Sequence, residues 1–308
     1  MPDTDDELFQ AFLRQVADAP AEAPSDADGP GLAVGDRVAD RYRVRRLLGR
    51  GGMGAVFEAA DERSGEPVAL KVLRPELADD GELAARFRRE ALAARMLDHP
   101  GIVRVLDFGL HGERGYLVME LLTGETFAAR LRAQRALSAG DAMEVIGPVI
   151  AALAAAHEHG VVHRDVKPEN VFLARSPSGA VTVKVLDFGV AKLELPGQER
   201  LTRTGRGSPG TPVYMAPEQL GHEEVGPAAD QYAVATMLYE ALSGRRPHEG
   251  RTLQALVVAK ASAPPRALHE LRPDLSAAFC AAVMRGLAPR PEDRHASMAA
   301  FARALAAV

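Results

Sequence analysis

The chain is predicted to be an α+β protein of two lobes, a small antiparallel β-rich lobe carrying one main helix and a larger α-helical lobe. Between Tyr42 and Glu120 the apolar residues fall in short, strand-like runs, with a single helical stretch among them. Beyond Gly124 the runs become long, Ala- and Leu-rich and helically spaced. With 308 residues, 47% of them hydrophobic, the chain is long enough to bury a substantial core in two lobes or one large domain.

Residues 1–38 form an acidic tail, rich in Asp, Ala and Pro, in which Pro20, Pro24, Gly29 and Pro30 break any long periodicity. Leu8, Phe9, Phe12, Leu13 and Val16 are spaced for one short amphipathic helix within it. Strands are expected over Val44–Leu48, Ala55–Ala60, Val68–Leu73, Ile102–Phe108 and Tyr116–Met119, and a helix over Leu83–Leu97. Residues 39–120 are thus the first lobe, 121–124 a hinge beside a nucleotide-sized cleft, and 125–308 the second lobe, with helices over 141–159, 227–243 and 276–307. Pro148 inside the first of these is expected to bend the helix or restart it near Gly147.

Composition excludes several function classes. The 37 basic and 42 acidic residues give a formal charge of −5, which offers no electrostatic case for nucleic acid or an anionic membrane. One cysteine, Cys280, cannot form an internal disulfide or a cysteine-based zinc site, and suits a reducing, cytoplasmic setting. The acidic start is unlike a secretory signal, and the most apolar run, Val145–His157, falls short of a membrane span.

The chemistry is concentrated in His163-Arg164-Asp165-Val166-Lys167-Pro168-Glu169-Asn170. Moving a phosphoryl group needs a carboxylate to orient the attacking hydroxyl, a cation against the developing charge and an oxygen ligand for Mg²⁺. Asp165, Lys167 and Asn170 supply these three. Upstream, Gly49, Gly51, Gly52 and Gly54 spell G-x-G-x-x-G, which lets backbone N–H groups approach phosphates. Because Ala55–Ala59 continues as a strand, a glycine-rich hairpin is favoured over a helix-opening dinucleotide loop. Lys71, on the next strand, is a point charge for phosphate oxygens. Glu82 and Glu90 are available to hold it, and Glu90 is preferred because Leu83, Phe87 and Ala94 seat its helical face inward. Asp-Phe-Gly occurs twice. Asp107-Phe108-Gly109 reads as an incidental strand end and turn, whereas Asp187-Phe188-Gly189 closes a hairpin begun at Asn170, so Asp187 and Asn170 converge on one metal.

With Ala216-Pro217-Glu218 added in the same order, the chain resembles the eukaryotic-like protein Ser/Thr kinases, particularly their bacterial branch, over residues 42 to about 305. The resemblance implies a bilobal kinase fold and phosphoryl transfer from ATP with Mg²⁺, or Mn²⁺, to Ser/Thr hydroxyls of proteins. It makes Asp165 the base, Lys71 the contact to the α- and β-phosphates and Glu90 its partner. Lys167 and Gly210-Thr211 favour Ser/Thr acceptors. Met119 resembles the gatekeeper, the backbone at Glu120 and Leu122 is expected to meet adenine, and Val56, Ala69 and Phe172 resemble the shelf around the base. Glu218 is expected to pair with Arg294, and Asp230 to buttress the catalytic loop while capping its helix. Arg164 before Asp165 points to an activation segment ordered by phosphorylation, at Thr202, Thr204 or Ser208, by a transient homodimer acting in trans. A pseudokinase scaffold and a small-molecule phosphotransferase are the alternatives.

Overall fold

The computed structural model describes residues 32–51, 54–73, 91–112, 114–188, 211–220, 225–250, 252–262 and 264–306. Glu82, Glu90, Gly52, Gly189, Gly210, Thr202, Thr204, Ser208 and the tail helix lie outside the described residues.

The chain divides into two compact units, one holding the described residues up to Arg95 and Arg104–Leu121, the other Met96–Val103 and the described residues from Leu122 on. The first unit is a six-stranded antiparallel sheet in the order β1-β2-β3-β4-β6-β5. Its strands are β1 (Arg37–Val38), β2 (Tyr42–Gly51), β3 (Gly54–Asp61), β4 (Pro67–Leu73), β5 (Val105–His111) and β6 (Arg114–Glu120). Alternation along the pleat sends Tyr42, Val44, Phe57, Val68, Leu70, Val72, Tyr116 and Val118 into one buried cluster. Residues 91–96 are helical. Ile102 is not in a strand with Val105; it makes an isolated parallel bridge to Val185, and Val103 N–H donates to the Val185 carbonyl (3.0 Å). That pairing places 96–103 in the second unit.

Asp107, expected at a strand end, lies within β5, which runs on to His111. Its carboxylate accepts from the Tyr42 hydroxyl (2.5 Å) and Arg41 (3.4 Å), the same Arg41 that holds Asp61 in a two-point pair at 2.8 Å. This first Asp-Phe-Gly is therefore a structural tie.

The second unit carries the sheet β7 (Gly124–Thr126), β8 (Val171–Arg175) and β9 (Val181–Val185). Its helices are α1 (Phe127–Ala133), α2 (Ala139–Glu158), α3 (Thr211–Tyr214), α4 (Pro217–Leu220), α5 (Pro227–Ser243), α6 (Leu253–Ser262), α7 (Leu268–Leu271), α8 (Ala277–Gly286) and α9 (Met298–Ala306). The expected helix over 276–307 is thus two, because Ala288-Pro289 and Pro291 interrupt it. Thr126, Ser138 and Ser276 cap α1, α2 and α8 by accepting from the N–H three residues on. Helix α5 opens on Pro227 and closes on Gly244 at φ 68°, where a Cβ would fall 2.5 Å from the Arg135 carbonyl. From Ala229 to Leu242 all its residues but Glu240 are buried.

Helix α2 corrects two expectations. It runs unbroken through Pro148. Pro148 and Glu144 are exposed, so the Glu144 carbonyl that loses its intrahelical donor faces water. At 20 residues and a mean hydropathy of 1.5, α2 is also long and apolar enough to span a membrane. Here Ile146, Val149, Ile150 and Leu153 are buried in the second unit, as in the core helix of a globular domain.

Candidate active site

In the first unit, β2 and β3 form a hairpin whose last register pair is Gly51 opposite Gly54, as expected of a glycine-rich turn; Gly49 lies opposite Val56. Gly54, at φ 155°, is required by close approach, since a Cβ there would lie 2.0 Å from the Val72 carbonyl. Lys71 sits in mid-sheet, opposite Val56 on one side and Leu117 on the other, while Ala69 faces Met119. The period of two therefore gathers Val56, Ala69, Lys71 and Met119 on the face away from the apolar cluster. Lys71 is 7% exposed, so its ammonium is delivered from a largely dehydrated stem. The Glu120 N–H is used by the Arg104 carbonyl (3.0 Å) and its carboxylate by the Arg104 N–H (2.9 Å), so strand pairing fixes this end of β6.

In the second unit the loop from His163 to Asn170 is built around Asp165. Lys167 Nζ donates to Asp165 Oδ2 at 2.7 Å. Asn170 Nδ2 donates both to the Asp165 carbonyl (2.9 Å) and to Oδ2 (3.2 Å). One carboxylate oxygen is thus held by two donors, which fixes where the other points. The side chains of Lys167 and Asp165 are 19% and 13% exposed, wet enough to meet a substrate.

Asp230 in the first turn of α5 holds the loop backbone. It accepts from the N–H groups of His163 and Arg164 and from His157 Nε2, all at 2.8 Å. Its expected capping role is not taken up, since Gly226 is the N-cap and the Asp230 oxygens are used by the loop. Arg164 adopts a left-handed φ of 64°. Its peptide is gripped from both sides, by Asp230 at the N–H and by Gln219 Nε2 at the carbonyl (2.7 Å).

His163 connects this loop to Asp187. Its Nδ1 accepts the Asp165 N–H (3.2 Å), so the proton resides on Nε2, which donates to the Leu186 carbonyl (2.8 Å). Its ring meets Phe188 at 4.8 Å. Leu186 N–H in turn donates to the Asn170 carbonyl (2.8 Å), which draws Asn170 and the Asp187 segment together. Asp187 is the second non-glycine residue here with positive φ, at 57°. Phe172 and Leu122 are half-buried in the same unit, Phe172 pairing with Lys184 on β9.

A third layer supports the Ala216-Pro217-Glu218 turn. Arg294 uses all five N–H donors: two on the Glu218 carboxylate (2.6 and 2.8 Å) and three on the carbonyls of Ala228, Ala288 and Pro289 (2.9, 2.8 and 2.9 Å). This is the pair expected from the sequence. Gln219 Oε1 accepts the Ala216 N–H (3.0 Å). Lys260 on α6 donates to the carbonyls of Val213 (2.6 Å) and Met215. Reading the residues one by one had missed His163, Gln219 and Lys260 as parts of this assembly. His163 is foreshadowed by its place in the octet; the other two carry no motif, because the contacts that tie them to this assembly are to the carbonyls of Arg164, Val213 and Met215, 45 to 55 residues away.

The chain is similar to known proteins over most of its length. The family model described as the protein kinase domain matches residues 42–303. Serine/threonine-protein kinase Pkn1 of Myxococcus xanthus is 43% identical over 265 residues, 86% of this chain and 38% of its own length. Serine/threonine-protein kinase PknA of Mycobacterium tuberculosis is 41% identical over 281 residues, 89% of this chain and 63% of its own length. The chain therefore spans between 38% and 63% of the length of these two relatives. The crystal structure of the Mycobacterium tuberculosis PknI kinase domain superposes with a TM-score of 0.70 at 32% identity, covering 90% of this chain and 98% of that one. A β-sheet unit with a buried strand lysine, a helical unit with Asp165 and Asn170 on one loop, and a match over most of the length together establish that the chain belongs to the protein kinase domain family, in its bacterial serine/threonine branch.

Proposed function

We propose that the chain is an ATP- and Mg²⁺-dependent protein Ser/Thr kinase, with residues 39–308 as its catalytic domain. The observation that carries this is the clamp on Asp165: with Oδ2 held by Lys167 and Asn170, its other oxygen is aimed to accept the proton of a Ser or Thr hydroxyl. As the hydroxyl oxygen gives up its proton to Asp165 and bonds to the γ-phosphorus, and the bond to the leaving diphosphate breaks, the ammonium of Lys167 offsets charge on the transferring group. Lys71 grips the α- and β-phosphates, Glu90 holds Lys71, and Gly49, Gly51, Gly52 and Gly54 bring backbone N–H groups to the phosphates. Val56, Ala69, Met119, Leu122 and Phe172 enclose adenine with the backbone at Glu120.

Asn170 commits both amide hydrogens to Asp165, so its Oδ1 is the atom offered to a cation; with the Asp187 carboxylate the donor set is all oxygen, as a hard divalent ion requires. Such an ion supplies charge neutralisation at the phosphates, and Mn²⁺ meets the same donor chemistry. The substrates are proteins, among them the chain's own activation segment at Thr202, Thr204 or Ser208, reached in a transient homodimer. The same reading assigns the domain to the cytoplasm, where ATP is available.

Phosphosite mapping by mass spectrometry after incubation with Mg²⁺-ATP, beside Asp165→Asn, tests the reading. Phosphate on 202–208 in the wild type alone is expected. A wild type that binds ATP and transfers nothing to itself or to added protein would replace this reading with a scaffold role.

A further inference from the structure

Lys260 is a lysine with no place in the chemistry above, yet it is 1% exposed and among the largest fully buried side chains of the protein. A dehydrated ammonium is costly unless each donor is satisfied. Two of its N–H groups go to the carbonyls of Val213 and Met215. Its third side faces the ring of Tyr232, 5.0 Å from the centroid, with Arg294 at the same distance from that ring. Val213–Met215 is the stretch just before Ala216-Pro217-Glu218. Tyr214 and Met215 line the same depression as Arg164 and Asp165. A segment packed that close to Asp165 bears on the geometry in which an acceptor hydroxyl can meet its carboxylate.

We propose that Lys260 is a positioning residue for the protein substrate: from α6 it fixes the Val213–Met215 wall against Asp165, so that it governs acceptor binding and leaves nucleotide handling alone. This rests on the kinase reading above. The groups around Lys260 are Tyr214 on α3, Glu218 on α4, Tyr232 on α5, Arg294, and His248 in the loop after α5. Burial and the Arg294 charge lower the Lys260 pKa to about 7, and burial with the Lys260 charge lowers that of His248 to about 4. His248 is therefore neutral throughout the range in which Lys260 titrates, and Glu218 is committed to Arg294. A charged Lys260 holds both carbonyls below pH about 7; a neutral amine, short of one donor and of the attraction to the Tyr232 ring, holds them less well above it.

The experiment uses the full chain with a synthetic peptide of residues 199–212 as acceptor. Lys260→Met is expected to raise the peptide KM about tenfold, with the ATP KM and peptide-independent ATP hydrolysis within about twofold of wild type. Lys260→Arg, which keeps charge and donors, is expected to stay near the wild-type peptide KM. In wild type the peptide KM rises as pH passes through about 7, and in Lys260→Arg that rise disappears because the guanidinium stays charged. An unchanged peptide KM in folded Lys260→Met, or an equal rise in both KM values, would overturn the assignment, as would an identical pH profile for wild type and Lys260→Arg. Hydrogen exchange of amides 211–220 reads the same contact without catalysis. Faster exchange in Lys260→Met supports the wall even in an inactive chain, and unchanged exchange defeats it whatever becomes of the kinase reading.

Discussion

Removing the Arg294 guanidinium isolates the energetics of the turn that closes the activation segment. Arg294 and Glu218 have side chains 0% and 2% exposed, so neither charge has water to fall back on. Arg294→Met keeps much of the stem volume and strands the carboxylate. Breaking a buried pair from one side costs about 3–5 kcal/mol. The carbonyls of Ala288 and Pro289 also lose their donors, for about 1–3 kcal/mol where nothing replaces them. Against a total stability of roughly 5–15 kcal/mol, the expected loss of about 4–8 kcal/mol leaves the second unit marginal.

Glu218→Leu/Arg294→Met is the informative partner variant. With both charges gone, only the unpaired carbonyls remain, so the double variant is expected to recover about 3–5 kcal/mol over Arg294→Met. Urea unfolding followed by far-ultraviolet circular dichroism suits a chain without tryptophan, with the m-value checking that the same surface is exposed. If Arg294→Met cost under about 1 kcal/mol, or if the double variant were the less stable of the two, the stranded-charge argument would be wrong.

Three further outcomes follow from single contacts. Asp230→Asn replaces one acceptor oxygen by an NH₂ that faces a backbone N–H of His163 or Arg164, so kcat is expected to fall about a hundredfold with the ATP KM little changed, read by steady-state kinetics. Gly54→Ala drives a methyl into the Val72 carbonyl and is expected to weaken ATP binding about tenfold or more, measured by calorimetric titration, with stability down by about 1–3 kcal/mol. The Tyr232 hydroxyl is buried with no partner among the described residues, so Tyr232→Phe is expected to be neutral or to raise stability by about 1 kcal/mol in the same urea assay, whereas a loss beyond that would mean the hydroxyl is satisfied in solution.

The parts of the fold that sequence disclosed are those written in local periodicity. Helix α5 begins and ends where its pattern, Pro227 and Gly244 say it should. The hairpin reading of Gly49–Gly54 holds because a strand pattern, not a helix, follows it. Local reading failed where tertiary contacts decide. Ile102 has the residues of a strand and is claimed by Val185 across the chain; Asp230 has the residue type of a cap and is used by the backbone of His163 and Arg164; Pro148 has the chemistry of a break and sits on the face where the Glu144 carbonyl it leaves without a donor meets water. Lys260 escapes local reading for the same reason, since both its carbonyl partners are distant in sequence, and so does the bond of Gln219 to the Arg164 carbonyl.

Arg164 and Asp187 show why this loop needs so much support. Each holds a left-handed backbone, φ 64° and 57°, which costs a residue with a Cβ about 1–2 kcal/mol and which glycine would adopt freely. Glycine cannot serve at either position, because the Asp187 carboxylate and the Arg164 guanidinium are the groups the proposed chemistry and its regulation require. The strain must then be opposed by contacts on the same peptides. At Arg164 those contacts are Asp230 on the N–H and Gln219 on the carbonyl, and two such hydrogen bonds, one of them charged, supply about 2–4 kcal/mol, enough to hold the turn. Gln219 in turn rests on Ala216, and Ala216 precedes the Glu218 that Arg294 anchors. The strained residue beside Asp165 is thereby tied through Gln219 to the Ala216-Pro217-Glu218 turn, which Arg294 holds in turn.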